Sequence, residues 1–89
     1  MKFGELLKSR REKPELSLTE VAKQVGISKG HLHDLEHERQ LNPSLITTMK
    51  LSAALSVSIE SLVVAMLNSI VVRDYADHKL PEKYKGKMK

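Results

Sequence analysis

At 89 residues the chain is the size of one domain, and a domain this small buries only roughly 60–65% of the surface its unfolded form exposes, so it supports one small core. Hydrophobic residues are 40% and charged residues 29%, which is ordinary globular usage and excludes wholesale disorder. The 15 Lys and Arg exceed the 11 Asp and Glu, and cysteine is absent, which excludes disulfides, thiolate zinc sites and thiol nucleophiles together.

The apolar spacing is helical almost throughout. Phe3, Leu6 and Leu7 make an i, i+3, i+4 stripe on a first helix that must end near Lys13, because Pro14 disfavours helical geometry at the residue before it. Ser17 with Glu20 three residues later reads as a capping box opening a second helix, with Leu18, Val21, Ala22 and Val25 inward. Gly26 stops that helix, and Ser28 caps a third with Leu32 and Leu35 inward. Its outward face carries Lys29, Gly30, His33, Asp34 and His37.

Arg39 to Asn42 reads as a loop, and Asn42-Pro43 as a cap followed by proline at the first helical position. Leu45, Thr48, Met49, Leu51, Ser52 and Leu55 are the expected inner positions of a fourth helix. Ser58 caps a fifth, with Ile59, Leu62, Val63, Met66 and Leu67. Short connections between short helices predict a compact all-α domain.

The second and third helices, joined by Gly26-Ile27-Ser28, describe a helix-turn-helix. A steep crossing needs a small residue (Ala22), a left-handed turn residue four positions on (Gly26), and buried anchors (Val21, Leu32, Leu35). Through Arg11-Glu12-Lys13, the run Leu16 to Ala22, Val25-Gly26-Ile27-Ser28, Leu35-Glu36 and Asn42-Pro43-Ser44, the chain resembles the Cro/CI-type (XRE) helix-turn-helix repressors. The loop pattern Gln40-Leu41-Asn42-Pro43-Ser44 is most similar to SinR-type regulators. The resemblance implies a five-helix, lambda-repressor-like DNA-binding domain at residues 1–67 that acts as a dimer on operator DNA. A C-terminal extension at 68–89 would follow, with a dimerisation segment at 68–77 and a flexible basic tail at 78–89.

The resemblance also pairs Arg11 with Glu36, tying the first helix to the third. Three residues depart from the family pattern: Leu18 replaces a frequent phosphate-binding glutamine, and Glu38 and Ser56 replace glycines that end helices.

Recognition helices put their N-terminal residues into the major groove, where every base pair shows its own donor and acceptor pattern. Lys29 can donate to guanine, Gly30 lets the backbone approach closely, His33 can reach a purine N7 or a phosphate, and Asp34 can accept from cytosine. Ser28, His31 and His37 border that face. Arg39 has the place of a phosphate clamp, and Lys13 or Arg10 could be others. His33 and His37 also share metal-ligand spacing, but two histidines on one face make a poor site, and no metal or cofactor is expected. Without a glycine-rich phosphate loop or a pocket that could join Ser, His and Asp, no enzyme is expected either.

Residues 1–67 hold nine Lys or Arg against eight Asp or Glu, a net of +1, whereas residues 68–89 hold six against three, a net of +3. A basic tail fits a polyanion partner or a solvated end equally well. The run from Leu62 to Val72 holds more apolar surface than five short helices cover. Val64, Ile70, Val71 and Val72 therefore read as a homodimer interface, or else as a segment folded back over its own core. The β-branched run Ile70-Val71-Val72 suits either a strand crossing to a partner or a sixth helix.

The expected function is a dimeric, sequence-specific double-stranded DNA-binding regulator of transcription, a repressor that blocks promoter access. The alternative is an antitoxin or other interaction module whose 62–72 surface binds a toxin or small protein antagonist. With no stretch approaching ~18 consecutive apolar residues and a polar opening at Met1 to Glu5, a cytoplasmic protein with no membrane partner is expected.

Overall fold

The computed structural model describes residues 1–76, with side chains through Val71. Five helices and no strand occur among the described residues: α1 (Phe3–Glu12), α2 (Leu18–Val25), α3 (Lys29–Glu36), α4 (Leu45–Leu55) and α5 (Ile59–Ala76). The all-α, five-helix expectation holds.

The first three helices begin and end where their local chemistry requires. The Ser17 hydroxyl accepts the Glu20 N–H and the Glu20 carboxylate accepts the Ser17 N–H, each at 3.0 Å. Gly26, at φ 80°, lets the N–H groups of Gly26 and Ile27 both reach the Ala22 carbonyl at 2.8 and 3.0 Å. The Ser28 hydroxyl accepts from the His31 N–H at 3.0 Å, two residues after that turn. Phe3 and Leu7 of α1, Val21, Ala22 and Val25 of α2, Leu32 and Leu35 of α3, Leu51 of α4 and Leu62 of α5 are all buried in one core.

The second half differs from the expected pattern in three ways. Asn42 is not a helix cap: Ser44 is, its hydroxyl accepting the Thr47 N–H at 3.0 Å. Leu41, buried at 5% exposure, pins the loop to the core, so the chain turns into α4 only after Pro43. Of the expected inner positions of α4, Thr48, Leu51 and Leu55 are buried, while Leu45 and Met49 point outward at 72% and 50% exposure. Thr48 can take an inward place because its hydroxyl donates to the Ser44 carbonyl at 2.9 Å.

α5 runs on through Ile70-Val71-Val72 to Ala76 as one helix, so that segment is neither a strand nor a sixth helix. The expected boundary between residues 67 and 68 falls inside α5. Beyond it Ser69 is buried and Ile70 packs against the core. Leu62 and Ala65 supply the inward face of α5, whereas the expected inner residues Ile59, Val63 and Leu67 are exposed. The tail at 78–89 and the Val72 side chain lie outside the described residues.

Candidate nucleic-acid interface

Leu32 and Leu35, fully buried, hold α3 against the core by one face and leave the other free. Ser28, Lys29, Gly30, His37 and Arg39 are exposed, and His31, His33 and Asp34 are half-buried. All eight lie in or directly beside the same short helix. Lys29, Gly30, His33, Asp34 and His37 fall at i, i+1, i+4, i+5 and i+8, which is one side of a helix.

Two of these side chains order each other. The His33 and His37 rings stack with centroids 4.0 Å apart and planes 22° from parallel. The His37 Nδ1 lies 2.9 Å from the His33 carbonyl oxygen, a contact in which the ring nitrogen is the donor, since a carbonyl oxygen only accepts. His33 Nδ1 stands 3.9 Å from Asp34 Oδ1, an ion pair only when the imidazole is protonated. Among the described residues no group of three or more His, Asp or Glu side chains could hold a metal ion. What the stacked pair offers is two aromatic edges and their nitrogens on an otherwise hydrophilic face.

Apart from its neighbours along α3, Gly30 has nothing within 4 Å of the Cβ it lacks. No internal contact therefore requires glycine here, and the backbone of α3 is open to a close approach from outside.

α3 is held at its far end by Arg11. Its Nε donates to Glu36 Oε2 at 2.7 Å, its Nη2 to Glu36 Oε1 at 3.0 Å and its Nη1 to the Leu16 carbonyl at 2.9 Å. The hydrogen bonds with Glu36 raise the Arg11 pKa further above its ordinary value, with burial opposing them.

Arg10 makes a contact within the protein. Its Nη2 donates to the Ser56 carbonyl at 2.6 Å, so it closes the C-terminus of α4, a use of a cation that the helix dipole favours. Lys13 is exposed beside the same cleft.

One basic residue that spacing did not single out belongs near the helix-turn-helix. The Lys50 ammonium, reaching from α4, lies 3.7 Å from where a Gly26 Cβ would be. Its signal in sequence is only a lysine on the outward face of α4, which any solvated helix could carry.

A family model described as helix-turn-helix matches residues 7–62. The chain belongs to the helix-turn-helix family, in its Cro/CI-type (XRE) branch. The HTH-type transcriptional regulator SinR of Bacillus subtilis (strain 168) is 37% identical over 60 residues, which are 67% of this chain and 54% of that protein. The chain thus matches about half the length of this relative. A crystal structure of SinR, described as the master regulator for biofilm formation, in complex with DNA has a TM-score of 0.64 at 36% identity, covering 68% of this chain and 97% of that one. A SinR protein/SinI protein complex gives a TM-score of 0.66 at 28% identity and covers 96% of this chain and 88% of that one. Among the described residues no single helix is long and apolar enough to cross a membrane.

Proposed function

We propose that this protein is a cytoplasmic, sequence-specific regulator of transcription, acting as a repressor. It binds an inverted-repeat operator as a homodimer, with residues 28–37 of each copy in the major groove. The observation that carries this reading is the face of α3: exposed Lys29 and Gly30, then half-buried His33 and exposed His37, along one side of a helix whose opposite side, Leu32 and Leu35, is fully buried. The likeness to a SinR structure in complex with DNA supports it.

In this reading Lys29, His33 and Asp34 read base edges, Gly30 admits the groove wall, Ser28 and Arg39 bind phosphate, and His31 and His37 flank them. One such helix reads only about 3–5 base pairs, too little to find one site among ~10⁶ competitors, whereas two copies double the information. The dimer face lies along α5. Val64 is exposed, Ile70 and Val71 are half-buried, and exposed Val63 and Leu67 extend the same apolar surface.

Selection of bound duplexes from a genomic pool tests the reading. An inverted repeat with half-sites about 10 base pairs apart is expected. Salt titration on the selected site should give a log–log slope near −5 to −7, from about 3–4 phosphate contacts per monomer. Recovery of no common sequence, with a slope flatter than about −2, would refute it. Sedimentation of Val64→Glu with Leu67→Glu tests the dimer face, and a pair that remains dimeric puts the interface elsewhere.

A second reading draws on the SinR protein/SinI protein complex: the same α5 surface takes a small protein antagonist, or a toxin, in place of the second copy. An adjacent short reading frame whose product co-purifies and releases the DNA would favour it.

A further inference from the structure

α1 starts against the end of the recognition helix. A Cβ on Gly4 would stand 2.1 Å from the Glu36 carbonyl oxygen, so the two backbones meet directly. Just past that point Glu38 sits in the left-handed region at φ 58°. The Glu38 N–H donates to the Leu35 carbonyl at 3.2 Å and the Arg39 N–H to the Asp34 carbonyl at 2.9 Å. These are the two bonds of a Schellman motif, and Glu38 fills the position where glycine is at ease. A glutamate there is strained, so its side chain must add something that glycine lacks.

It adds a junction. Glu38 Oε2 accepts the Gly4 N–H at 3.0 Å and the Ser69 hydroxyl at 3.2 Å. The Ser69 oxygen, itself buried, accepts the Phe3 N–H at 2.8 Å. The first two N–H groups of α1 lack partners within their own helix and carry the positive end of its dipole. Here both are held, one by the carboxylate and one by the serine bonded to it. The start of α1, the middle of α5 and the turn leaving α3 are thereby joined at a single carboxylate.

We infer that Glu38 and Ser69 are positioning residues for DNA binding. They fix the left-handed turn that aims Arg39, and they tie that turn to α5. Arg39 is exposed, so its backbone sets its direction, and Glu38 sets that backbone. The inference rests on the reading of Arg39 as a phosphate contact, and the experiment separates the two.

Full-length Glu38→Gly, Glu38→Gln, Ser69→Ala and Arg39→Ala are compared by anisotropy on a labelled mixed-sequence duplex of roughly 30 base pairs, enough for two half-sites, at fixed salt. Thermal unfolding is measured in parallel. In Glu38→Gly the relief of strain at positive φ offsets the loss of the acceptor for the Gly4 N–H and the Ser69 hydroxyl, so Tm should change little. The variant should nevertheless weaken DNA binding about five- to tenfold, the net weight of roughly one hydrogen bond. Loss of a negative charge alone strengthens binding to DNA, so a fall in affinity reports geometry. Glu38→Gln, which keeps an acceptor oxygen, should bind at least as well as the parent. Ser69→Ala should weaken binding in the same direction, and neither variant should weaken it further when Arg39 is already alanine. If Arg39→Ala weakens binding while Glu38→Gly does not, the positioning role is overturned and the reading of Arg39 stands. If Arg39→Ala binds like the parent, the reading of Arg39 fails and the positioning role falls with it. A loss in Glu38→Gly that only tracks a fall in Tm also overturns the positioning role.

Discussion

Arg11 and Glu36 meet as a two-pronged ion pair across α1 and α3, with side chains only 12% and 2% exposed. The planar guanidinium matches the carboxylate as a fork, which an ammonium cannot do, and the third nitrogen holds the Leu16 carbonyl at the approach to α2. Removing either partner leaves a buried charge. Arg11→Ala or Glu36→Ala should each cost about 3–5 kcal/mol in urea unfolding, while a joint Arg11→Met, Glu36→Leu replacement should recover most of the loss. A single-variant loss below about 1 kcal/mol, the scale of an exposed pair, would show that the pair contributes little.

Gly4 is a sharper test of how α1 docks. The 2.1 Å separation between its would-be Cβ and the Glu36 oxygen is backbone against side chain, with no flexible end to yield. Gly4→Ala must therefore push α1 off α3, and should destabilise by about 1–3 kcal/mol or more despite the better helix propensity of alanine. Circular dichroism melting measures it. An unchanged Tm would mean that α1 slides freely.

The parts of the fold legible from sequence were those whose causes are local. Ser17 with Glu20, Gly26 and Ser28 each act within a few residues, and the helices they bound have those limits. Ser44 shows where local reading divides: Asn42-Pro43 and Ser44 both offer capping chemistry, and the burial of Leu41 decides between them. The length of α5 was illegible because a β-branched run such as Ile70-Val71-Val72 suits helix or strand until its packing is known. Glu38 was visible only as a missing glycine, since its partners Ser69 and Gly4 lie 31 and 34 residues away. The exposed face of α3, by contrast, followed directly from the spacing of Leu32 and Leu35.

Ser56 ends α4 at φ 52° and ψ 47°, the left-handed conformation that a Cβ penalises. Its carbonyl, not its side chain, receives Arg10, so glycine would lose nothing there. Ser56→Gly should raise stability by about 0.5–1 kcal/mol, the relief of the Cβ clash less the greater freedom of unfolded glycine. Ser56→Ala should give no such gain. Equal effects of the two in thermal unfolding would refute the strain.

Glu20 links stability to pH through its cap. The hydrogen bond from the Ser17 N–H, and after it that of the Ser17 hydroxyl, hold the Glu20 carboxyl below its ordinary value of 4.5. A folded-state value below the unfolded one stabilises the protein above the unfolded pKa and loses that contribution as pH falls through the folded one. Glu20→Gln, which keeps a capping oxygen but no charge, should therefore be less stable than the parent at pH 7. The difference should shrink below about pH 4.5. A difference that is constant from pH 7 to pH 3 would show that the charge plays no part.

Gly30 separates stability from DNA binding in one substitution. It lies in the first turn of α3, where alanine is the better helix former by about 0.5–1 kcal/mol. Apart from the adjoining residues and the backbone of α3 itself, nothing lies within 4 Å of the added methyl group, so Gly30→Ala should raise Tm. If the backbone of α3 approaches the groove wall at this point, the same methyl group meets DNA, and the affinity for the selected operator should fall about tenfold or more, the scale of one good base contact. Lys29→Ala, on the adjacent position, should lose a similar amount on the operator and little on random DNA, because it removes a base contact rather than adding bulk. The two outcomes together locate the close approach. A Gly30→Ala protein that is more stable and binds its operator as tightly as the parent would mean that α3 meets DNA by another edge, with Lys29 no longer at its centre.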